Sequence, residues 1–397
     1  MSSLQLDVVT VGGGLGASAF AMSMAKRGAK VLILEKETRF KDRVRGEFIV
    51  TWGVTEAKEL GIEDLLLRTC AKEIPWVDMG FGPRNLLETT PQRLPSLAFP
   101  HPAMQEALLA EAERAGAEVW RGVIVQSVEP GYSPSVVVSR NGKEERISTR
   151  LVVAADGRGS ATRKWAGFTS ERNVQPFQFS GVLLTGVSGR QDIGTFIFNP
   201  EYGLIGALIP QRGDRFRAYL GYPTAAGALL QGAEKLNTFL NESRKVGSIF
   251  ADCYAQAKAE GPLATFDGGD SWVKHPYRSG VALVGDAAAT SDPSFGQGMA
   301  LTLRDARVLR DALLSNSDWD QAGHLYAQQH DTYFHNIHTV CCWFRNIFQE
   351  QTPQAAVLRQ KALPLLADDL SRVPDQIFGG PELPLNETVR ARFFGEC

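Results

Sequence analysis

The sequence contains no apolar run that approaches the ~20 residues needed for a membrane-spanning helix, which argues against an integral membrane protein. Its 42 lysines and arginines nearly balance 44 aspartates and glutamates, and the net charge of −2 gives no electrostatic basis for nucleic-acid binding. Cysteine is scarce, with five residues, an odd number that includes no C-x-x-C pair. This usage is typical of reduced thiols and predicts a cytoplasmic protein without a disulfide framework.

Motifs for hydrolysis and for metal binding are also missing. The chain has no G-x-S-x-G nucleophile elbow and no assignable Ser/His/Asp set. His335 and His338 lie three residues apart in a predicted helical region, and Cys341 is a tempting third ligand. A metal site needs further ligands of a suitable kind, so the sequence predicts none.

Glycine is plentiful by contrast, and its first cluster follows an apolar, β-branched run at Leu6–Val11 that predicts a buried parallel strand. The cluster matches the G-x-G-x-x-G/A pattern, in which a tight turn brings the backbone close to a pyrophosphate and a helix N-terminus faces the phosphates. The predicted contacts in this cluster are Gly12, Gly13, Gly14, Leu15, Gly16 and Ala17.

A second buried strand is predicted at Val31–Leu34, with Glu35 at its C-terminal end and Lys36 directly after it. A carboxylate at this spacing hydrogen-bonds a ribose diol and disfavours a 2′-phosphate. The segment therefore predicts a site for the ADP half of FAD or NAD, with Glu35 and Lys36 as site residues.

Two more glycine motifs follow predicted buried strands farther along the chain. Asp156 and Gly157 come after the apolar run Leu151–Ala155, whereas Gly285 and Asp286 come after Val281–Val284. The last motif continues through a proline-glycine turn into a predicted amphipathic helix at Met299–Leu314. The predicted site residues in that continuation are Pro293, Gly296, Gln297, Gly298 and Met299.

These motifs, in this order, resemble those of the FAD-dependent monooxygenases of the para-hydroxybenzoate hydroxylase fold, the single-component aromatic hydroxylases. The resemblance covers roughly residues 7–314. It implies that the three glycine segments bind one FAD molecule, and that Asp286 hydrogen-bonds a ribityl hydroxyl of it. In that family the Asp-Gly motif supports both FAD and the nicotinamide cofactor, and a structural and indirect role is expected for Asp156 here. Geranylgeranyl reductases, flavin halogenases and epoxidases share the motifs.

The resemblance also implies FAD contacts from two places outside the glycine motifs. An arginine is expected in the loop after the second strand, and Arg45 is the first choice with Arg43 as the alternative. The start of the next helix usually carries an arginine or glutamine; here His101 occupies that place, with Gln105 one turn later.

The fold expected from the resemblance and the strand pattern is α/β, a Rossmann-like FAD-binding domain interleaved with an antiparallel-sheet substrate domain and a helical C-terminus. The FAD-binding domain is predicted at residues 1–70, 99–173 and 276–317, and the substrate domain at 71–98 and 174–275. The C-terminal helical segment is predicted at 318–397.

The expected activity is monooxygenation: NAD(P)H reduces FAD, O2 adds to it, and the hydroperoxide hydroxylates or epoxidises an apolar, aromatic small molecule. No second nucleotide fingerprint is present, which is usual where the nicotinamide cofactor binds transiently. The chemistry demands no particular catalytic side chain. Tyr202, Tyr219, Tyr222 and His275 are substrate-side candidates by region alone.

Three alternatives remain open on the sequence. Many hydroxylases of the family have a histidine where this chain has Ala289, and the Asp-Pro version that follows here also occurs in prenyl reductases and halogenases. A flavin-dependent reductase of the geranylgeranyl reductase type is therefore one alternative. A halogenase is another, although the W-x-W-x-I-P signature is missing. A catalytically silent FAD-binding protein is the third. The oligomeric state, the substrate and the choice of NADH or NADPH are left open.

Overall fold

The computed structural model describes residues 6–140, 142–173, 177–224 and 229–397. Its helices are α1 (Leu15–Ala25), α2 (Thr51–Glu59), α3 (Glu63–Thr69), α4 (Leu86–Thr89), α5 (His101–Arg114), α6 (Ala161–Trp165), α7 (Leu236–Arg244), α8 (Ser248–Cys253), α9 (Gly298–Ser315), α10 (Trp319–Phe348), α11 (Pro353–Asp368), α12 (Gln376–Gly379) and α13 (Glu387–Phe393). None of the described helices is both long and apolar enough to cross a membrane.

The strands alternate with these helices and assemble into two large and two small sheets. They are β1 (Leu6–Val11), β2 (Val31–Glu35), β3 (Phe48–Ile49), β4 (Lys72–Ile74), β5 (Trp76–Asp78), β6 (Pro83–Asn85), β7 (Ser96–Ala98), β8 (Glu118–Arg121), β9 (Ile124–Glu129), β10 (Ser135–Arg140), β11 (Lys143–Ala154), β12 (Glu171–Arg172), β13 (Phe177–Thr185), β14 (Ile193–Asn199), β15 (Leu204–Pro210), β16 (Arg215–Pro223), β17 (Lys258–Ala259), β18 (Ala264–Asp267), β19 (Ser271–Trp272), β20 (Tyr277–Arg278), β21 (Val281–Leu283) and β22 (Ala289–Thr290).

The first large sheet has a parallel core in the order β21-β11-β1-β2-β8, with β20 antiparallel at one edge. Its strands are apolar on both faces because both faces are covered. Val8 and Ile33 pack on the side of α1, whereas Val9 and Leu32 pack against the β9–β10 ribbon. The buried parallel strands expected from the apolar runs at 6–11 and 31–34 are thus confirmed.

The carboxyl ends of β1, β11 and β21 lie side by side at one edge of this sheet. Ala155 N donates to Val11 O at 2.9 Å, and Val284 N donates to Ala154 O at 2.9 Å. Because parallel strands end at the same edge, the three glycine-containing turns that follow them converge there.

The second large sheet runs in the order β17-β13-β16-β15-β14-β5-β6, with β18 also paired to β13. It is antiparallel except for the pair β5–β14, which is parallel because β5 comes from the separate segment at 76–78. One face is covered by α7 and α8 through Phe239 and Phe250. The other face looks toward the glycine turns.

The C-terminal helices α10 and α11 pack against each other, and α10 also packs on α9 and on β20. The two small sheets have the strand orders β3-β7-β4 and β12-β19-β22. The α/β class, the interleaved sheets and the helical C-terminus are confirmed. The domain boundaries remain a prediction, and the one placed at residue 174 lies outside the described residues.

Candidate functional site

A cavity of about 630 Å³ separates the carboxyl edge of the parallel sheet from the open face of the second sheet. One wall is formed by the turns after β1, β11 and β21, and the opposite wall by side chains of β13–β16 and β18. The volume falls in the range of ligand pockets in proteins. The two walls are chemically different and are described in turn.

The first position of the turn after β1 admits only glycine. Gly12 has a φ of +98°, and a Cβ there would lie 2.5 Å from the carbonyl oxygen of Ala155. Gly14 and Gly16 line the cavity, and α1 begins beside them at Leu15. Because Gly12, Gly14 and Gly16 line the cavity without side chains, the backbone of this turn forms part of the cavity surface, and the positive end of the α1 dipole faces it.

Two residues of the first motif do not reach the cavity and act behind it. Ala17 is fully buried in the helix-packing core. Gly13 donates its N–H to Glu35 Oε2 at 2.7 Å, while Glu37 N donates to Glu35 Oε1 at 2.7 Å. These two bonds fix the carboxylate of Glu35, which lines the cavity together with Lys36.

The turn after β11 carries Asp156 and Gly157, both of which line the cavity. The Asp156 carboxylate accepts hydrogen bonds from Ser160 Oγ at 2.6 Å and from Thr162 N at 3.1 Å, so it holds the start of α6. Arg163 of α6 donates to Ala287 O at 3.3 Å and so joins this turn to the one after β21.

The turn after β21 brings Gly285 and Asp286 to the cavity. Gly285 has a φ of +63°, its N–H donates to Asp305 Oδ2 at 2.7 Å, and a Cβ there would meet Thr302 Oγ1 at 2.8 Å. The Asp286 carboxylate has no hydrogen bond or ion pair with another described residue. It is therefore available to a ligand that offers hydroxyl donors.

The N-terminus of α9 also faces the cavity, through Gln297, Gly298 and Met299, and Pro293 and Gly296 line it from the preceding turn. The Gln297 side chain is fixed by Trp52 Nε1, which donates to Oε1 at 3.0 Å, and by its own Nε2, which donates to Ile377 O at 3.1 Å. The helix start is thus held rigidly, with its free N–H groups toward the cavity.

The loop at 42–47 contributes charged groups to the same wall. Arg43 donates to Glu37 Oε1 at 2.7 Å, whereas Arg45 has no hydrogen bond or ion pair within the described ranges. Burial lowers the pKa of Arg45, and nearby Asp286 opposes this effect. Val44 between them has a φ of +54°, an unusual conformation for a β-branched residue, and its N–H donates to Asp42 Oδ1 at 2.8 Å.

The first turn of α5 completes this wall with His101 and Gln105. His101 Nδ1 lies 2.6 Å from the carbonyl oxygen of Gly46, so Nδ1 carries the hydrogen and donates it. Burial lowers the pKa of His101, which keeps the ring neutral and leaves Nε2 as an acceptor.

This wall suits FAD by three features of the structure. The turn at Gly12 excludes any Cβ, Arg45 offers anionic groups a guanidinium that has no hydrogen bond, and Asp286 offers hydroxyl groups a carboxylate that has none. All the predicted FAD contacts line the cavity except Gly13 and Ala17.

The opposite wall is apolar and largely aromatic. Side chains alternate along each strand, so that Ile205, Ala207 and Ile209 of β15 and Tyr219 of β16 line the cavity. The even-numbered residues of both strands lie on the other face, in the cluster that includes α7 and α8. The lining residues of this wall, together with β3, are Phe48, Phe179, Phe196, Ile205, Ala207, Ile209, Tyr219 and Phe266.

Of the four substrate-side candidates, the structure brings Tyr219 alone to the cavity. Tyr222 lies three residues later on β16, faces α7, and accepts a hydrogen bond from Leu230 N at 3.2 Å. Tyr202 is exposed in the turn between β14 and β15. His275 lies in a separate surface depression beside His324, with Nε2 2.7 Å from His324 Nδ1. The prediction that Tyr202, Tyr222 and His275 lie on the substrate side of the cavity is therefore wrong, because none of the three lines it.

A buried charged cluster lies next to Tyr219 and was not predicted from the sequence. Glu47 lines the cavity, and its carboxylate pairs with Arg217 of β16. Glu47 was visible in the loop after the second strand, but Arg217 is 170 residues away, and no local signal joins the two. The alternation of side chains along a strand could have placed Arg217 and Tyr219 on the same face, since they are two residues apart.

Within the described part of the chain, no group of three or more His, Cys, Asp or Glu side chains could hold a metal ion. His335 is exposed, whereas His338 points to Asp270, at 2.8 Å from Nε2 to Oδ2.

The FAD binding domain family matches residues 5–341, and the chain belongs to that family. The digeranylgeranylglycerophospholipid reductase of Methanocella arvoryzae is 24% identical over 323 residues, which cover 77% of this chain and 76% of the reductase. Aklavinone 12-hydroxylase DnrF of Streptomyces peucetius is 26% identical over 332 residues, which cover 74% of this chain and 64% of the hydroxylase.

Solved structures share the fold over nearly the whole chain. The p-nitrophenol 4-monooxygenase PnpA of Pseudomonas putida superposes with a TM-score of 0.77 and 16% identity, covering 94% of this chain and 96% of that one. The flavin-dependent brominase Bmp2 gives a TM-score of 0.76 and 16% identity, covering 95% and 94%. The resemblance to FAD-dependent monooxygenases drawn from the motifs is confirmed, and the protein is a flavin-dependent oxidoreductase.

Proposed function

We propose that this protein is a monooxygenase that uses FAD, NAD(P)H and O2 to hydroxylate or epoxidise an apolar, aromatic small molecule. The observation that carries the proposal is the pairing of two walls around one cavity, one suited to FAD and one lined by phenylalanines and a tyrosine. The similarity to a hydroxylase and to a p-nitrophenol monooxygenase supports the same reaction class.

The residues of the first wall would hold and orient the cofactor. Glu35 and the turn at Gly12–Gly14 suit the ADP half, Arg45 suits the pyrophosphate, and Asp286 suits a ribityl hydroxyl. Bound FAD would supply electron transfer from NAD(P)H and activation of O2. The N-terminus of α9 would favour negative charge on the pyrimidine edge of the reduced ring.

The residues of the second wall would bind the substrate and exclude water. Phe48 and Phe196 contact each other with ring centroids 5.2 Å apart, and Phe179 stacks on Phe266 at 5.8 Å. An aromatic substrate placed against such rings is desolvated and held near the flavin. We propose as well that the enzyme is cytoplasmic.

A reductase of prenyl chains is the second candidate, because the archaeal reductase is a relative of similar coverage. A halogenase and a silent FAD-binding protein are the remaining alternatives, the former favoured by the fold of the brominase.

One experiment distinguishes these four candidate functions. Purified holoprotein is mixed with NADH or NADPH, with and without a panel of aromatic compounds and prenyl lipids, and flavin bleaching is followed without O2. Oxygen uptake and product mass are then measured. Gain of one oxygen atom supports the proposal, and gain of two hydrogens on a prenyl lipid favours the reductase. Halide incorporation favours the halogenase, and a flavin that neither nicotinamide nor a partner reductase bleaches favours the silent protein.

A further inference from the structure

Two histidines meet at the surface of the protein, outside the cavity. His275 lies in the loop between β19 and β20, and His324 lies in the second turn of α10. Nε2 of His275 is 2.7 Å from Nδ1 of His324, the ring centroids are 5.0 Å apart, and the ring planes meet at 34°. Neither histidine lines the cavity, so the proposed flavin reaction does not use this pair.

The loop that carries His275 is fixed to the helix that carries His324. His275 has a φ of +54°, which is uncommon for a residue other than glycine. Its backbone N–H donates to both carboxylate oxygens of Asp331, at 3.0 and 3.2 Å. Asp331 follows His324 by seven residues on α10, so one face of the helix carries both side chains. The packing of α10 against the edge of the sheet therefore holds the two imidazoles together.

A carboxylate lies behind the ring of His324. Nε2 of His324, the nitrogen that does not face His275, is 3.8 Å from Oδ2 of Asp320, which lies one helical turn earlier. Tyr277 holds this carboxylate by donating its hydroxyl to Asp320 Oδ1 at 2.9 Å. A carboxylate behind the outer nitrogen is the arrangement that metal-ligating histidines commonly have. It favours the hydrogen on Nε2 and leaves the lone pair of Nδ1 directed toward His275.

The charges around the two rings suit a cation. The two carboxylates of α10 lie beside the rings, whereas the basic side chains of the same loop and strand are engaged elsewhere. Lys274 forms an ion pair with Glu171 at 2.5 Å. Arg278 donates to the carbonyl oxygen of Gly167 at 2.9 Å. The side chain of His324 is 48% exposed, so a hydrated cation can reach the pair directly from solvent.

The spacing of the rings also fits a cation between them. A tetrahedral centre with metal–nitrogen bonds of about 2.0–2.1 Å separates the two ligating nitrogens by about 3.3 Å and the centroids of their rings by about 5 Å. The centroids of His275 and His324 are already 5.0 Å apart. The rings therefore need to turn but not to move apart. The hydrogen between the two nitrogens passes to solvent and His275 takes one up on Nδ1, so that both ligands are neutral imidazoles.

We propose that His275 and His324 form a binding site for one divalent cation of the Zn²⁺, Ni²⁺ or Cu²⁺ class, with water in the remaining coordination positions. Imidazole nitrogen suits these cations, whereas Mg²⁺ and Ca²⁺ take oxygen ligands. Because the protein supplies two ligands, the site is weaker than a structural zinc site with four. The bound cation links α10 to the edge of the parallel sheet at β20.

The test uses Zn²⁺ as the probe and untagged, FAD-loaded protein that has been treated with EDTA and dialysed. Isothermal titration calorimetry gives the stoichiometry and Kd for wild type, His275→Asn, His324→Gln, the double variant and His335→Gln. Asparagine tolerates the positive φ at position 275. His335 is exposed on the same helix and is the matched control. The flavin content of each variant shows that it is folded.

We expect wild type and His335→Gln to bind one equivalent of Zn²⁺ that the double variant does not bind. Each single variant at the pair should lose affinity for that equivalent by about tenfold or more, because one of two protein ligands is gone. Asp320→Asn should weaken it by about tenfold through loss of the carboxylate behind His324. Cu²⁺ should displace the Zn²⁺, whereas an excess of Mg²⁺ or Ca²⁺ should not.

Binding of Zn²⁺ by the double variant with the stoichiometry and affinity of wild type would overturn the proposal, as would the absence of Zn²⁺ binding by wild type. The pair would then be a hydrogen bond between two neutral imidazoles and no more. A loss of affinity in His335→Gln equal to that in His324→Gln would also count against the pair as the site. None of these measurements involves turnover, so their outcome is independent of the proposed function.

Discussion

Single charged residues without partners are the clearest sign of a bound cofactor in this protein. Arg45 and Asp286 both line the cavity, and neither has an ion pair with a described residue. Other buried charges have ion pairs or hydrogen bonds, as in Arg217 with Glu47, or Glu35 with the N–H groups of Gly13 and Glu37. Because unpaired charge in a partly buried place is costly, the two side chains indicate a ligand that supplies their partners.

Asp286→Ala should weaken FAD binding. Loss of a hydrogen bond to a charged acceptor costs about 1.5–3 kcal/mol, or about 10–150-fold in Kd. The flavin-to-protein ratio after extensive dialysis and the Kd from fluorescence titration measure this. Asp252→Ala, on an exposed carboxylate of α8 on the far face of the second sheet, is the control and should retain full flavin. Equal retention by both variants would remove Asp286 from the site.

Gly12 and Gly28 offer a matched pair for the glycine turn. Both have positive φ, +98° and +87°, but a Cβ at Gly28 would meet no atom within 4 Å, whereas one at Gly12 would lie 2.5 Å from Ala155 O. Gly28→Ala should cost about 1–2 kcal/mol, the backbone strain alone. Gly12→Ala should cost more and should also lower flavin content. Urea denaturation and flavin content measure the two effects. Equal behaviour of Gly12→Ala and Gly28→Ala would argue against the close approach of Gly12 to the carbonyl oxygen of Ala155.

The glycine turns of the FAD wall could be predicted from the sequence because each follows a buried strand and carries its own local signal, whereas Arg45 and His101 were expected only from the family resemblance. The substrate wall could not. Tyr219 and Tyr222 are three apart on a strand, so their opposite orientation follows from strand geometry, but which of them faces the cavity depends on where α7 and α8 pack. Glu47 and Arg217 become partners only when β16 crosses the 42–47 loop.

At the scale of elements, α10 is fixed to the flavin side of the molecule by a buried charge cluster. Arg345 Nη2 donates to Asp270 Oδ2 at 3.2 Å and to Asp292 Oδ2 at 3.1 Å. Asp292 in turn accepts from Ser294 N at 2.9 Å and holds the turn before α9. The helical C-terminus was expected from the sequence, but these contacts join segments 53 and 75 residues apart and have no local signature.

The pH dependence of stability should report the same cluster through His338. Burial alone lowers the pKa of His338, but hydrogen bonds with Asp270 and Cys342 outweigh it and raise the pKa to about 9. The unfolded value is about 6.5, so the folded state binds the proton more tightly. The resulting stability is fully present below pH 6.5 and is lost as the pH rises through about 9.

Urea midpoints of the apoprotein between pH 6 and pH 10 should therefore decline in wild type more steeply than in His338→Gln, and the two curves should converge at the alkaline end. The other groups near the imidazole are Asn173, at 3.2 Å, and the rings of Trp272 and Phe334. None of these three titrates in this range. Parallel curves for wild type and the variant would show that His338 is not protonated in the folded protein.

At the scale of the whole molecule, the cofactor would join segments that are far apart in the chain. The FAD wall takes residues from the turns at 12–16, 155–157 and 285–298, as well as from the 43–46 loop and the start of α5. A ligand that binds such a set stabilises the native state by RT ln(1 + [L]/Kd), about 2.7 kcal/mol at 100 times Kd. The size of this effect depends on how much of the dinucleotide the wall contacts.

FAD should therefore raise the urea midpoint of the apoprotein, whereas FMN, which lacks the adenosine half, should raise it much less. The reason is that, in the proposed site, Glu35, fixed by Gly13 N and Glu37 N, and the turn at Gly12 would meet the half that FMN lacks. Glu35→Gln should reduce the shift produced by FAD and leave that produced by FMN unchanged. Equal stabilisation by FAD and FMN in wild type would mean that the first glycine turn does not hold the adenosine, and would limit the cofactor site to the turns after β11 and β21.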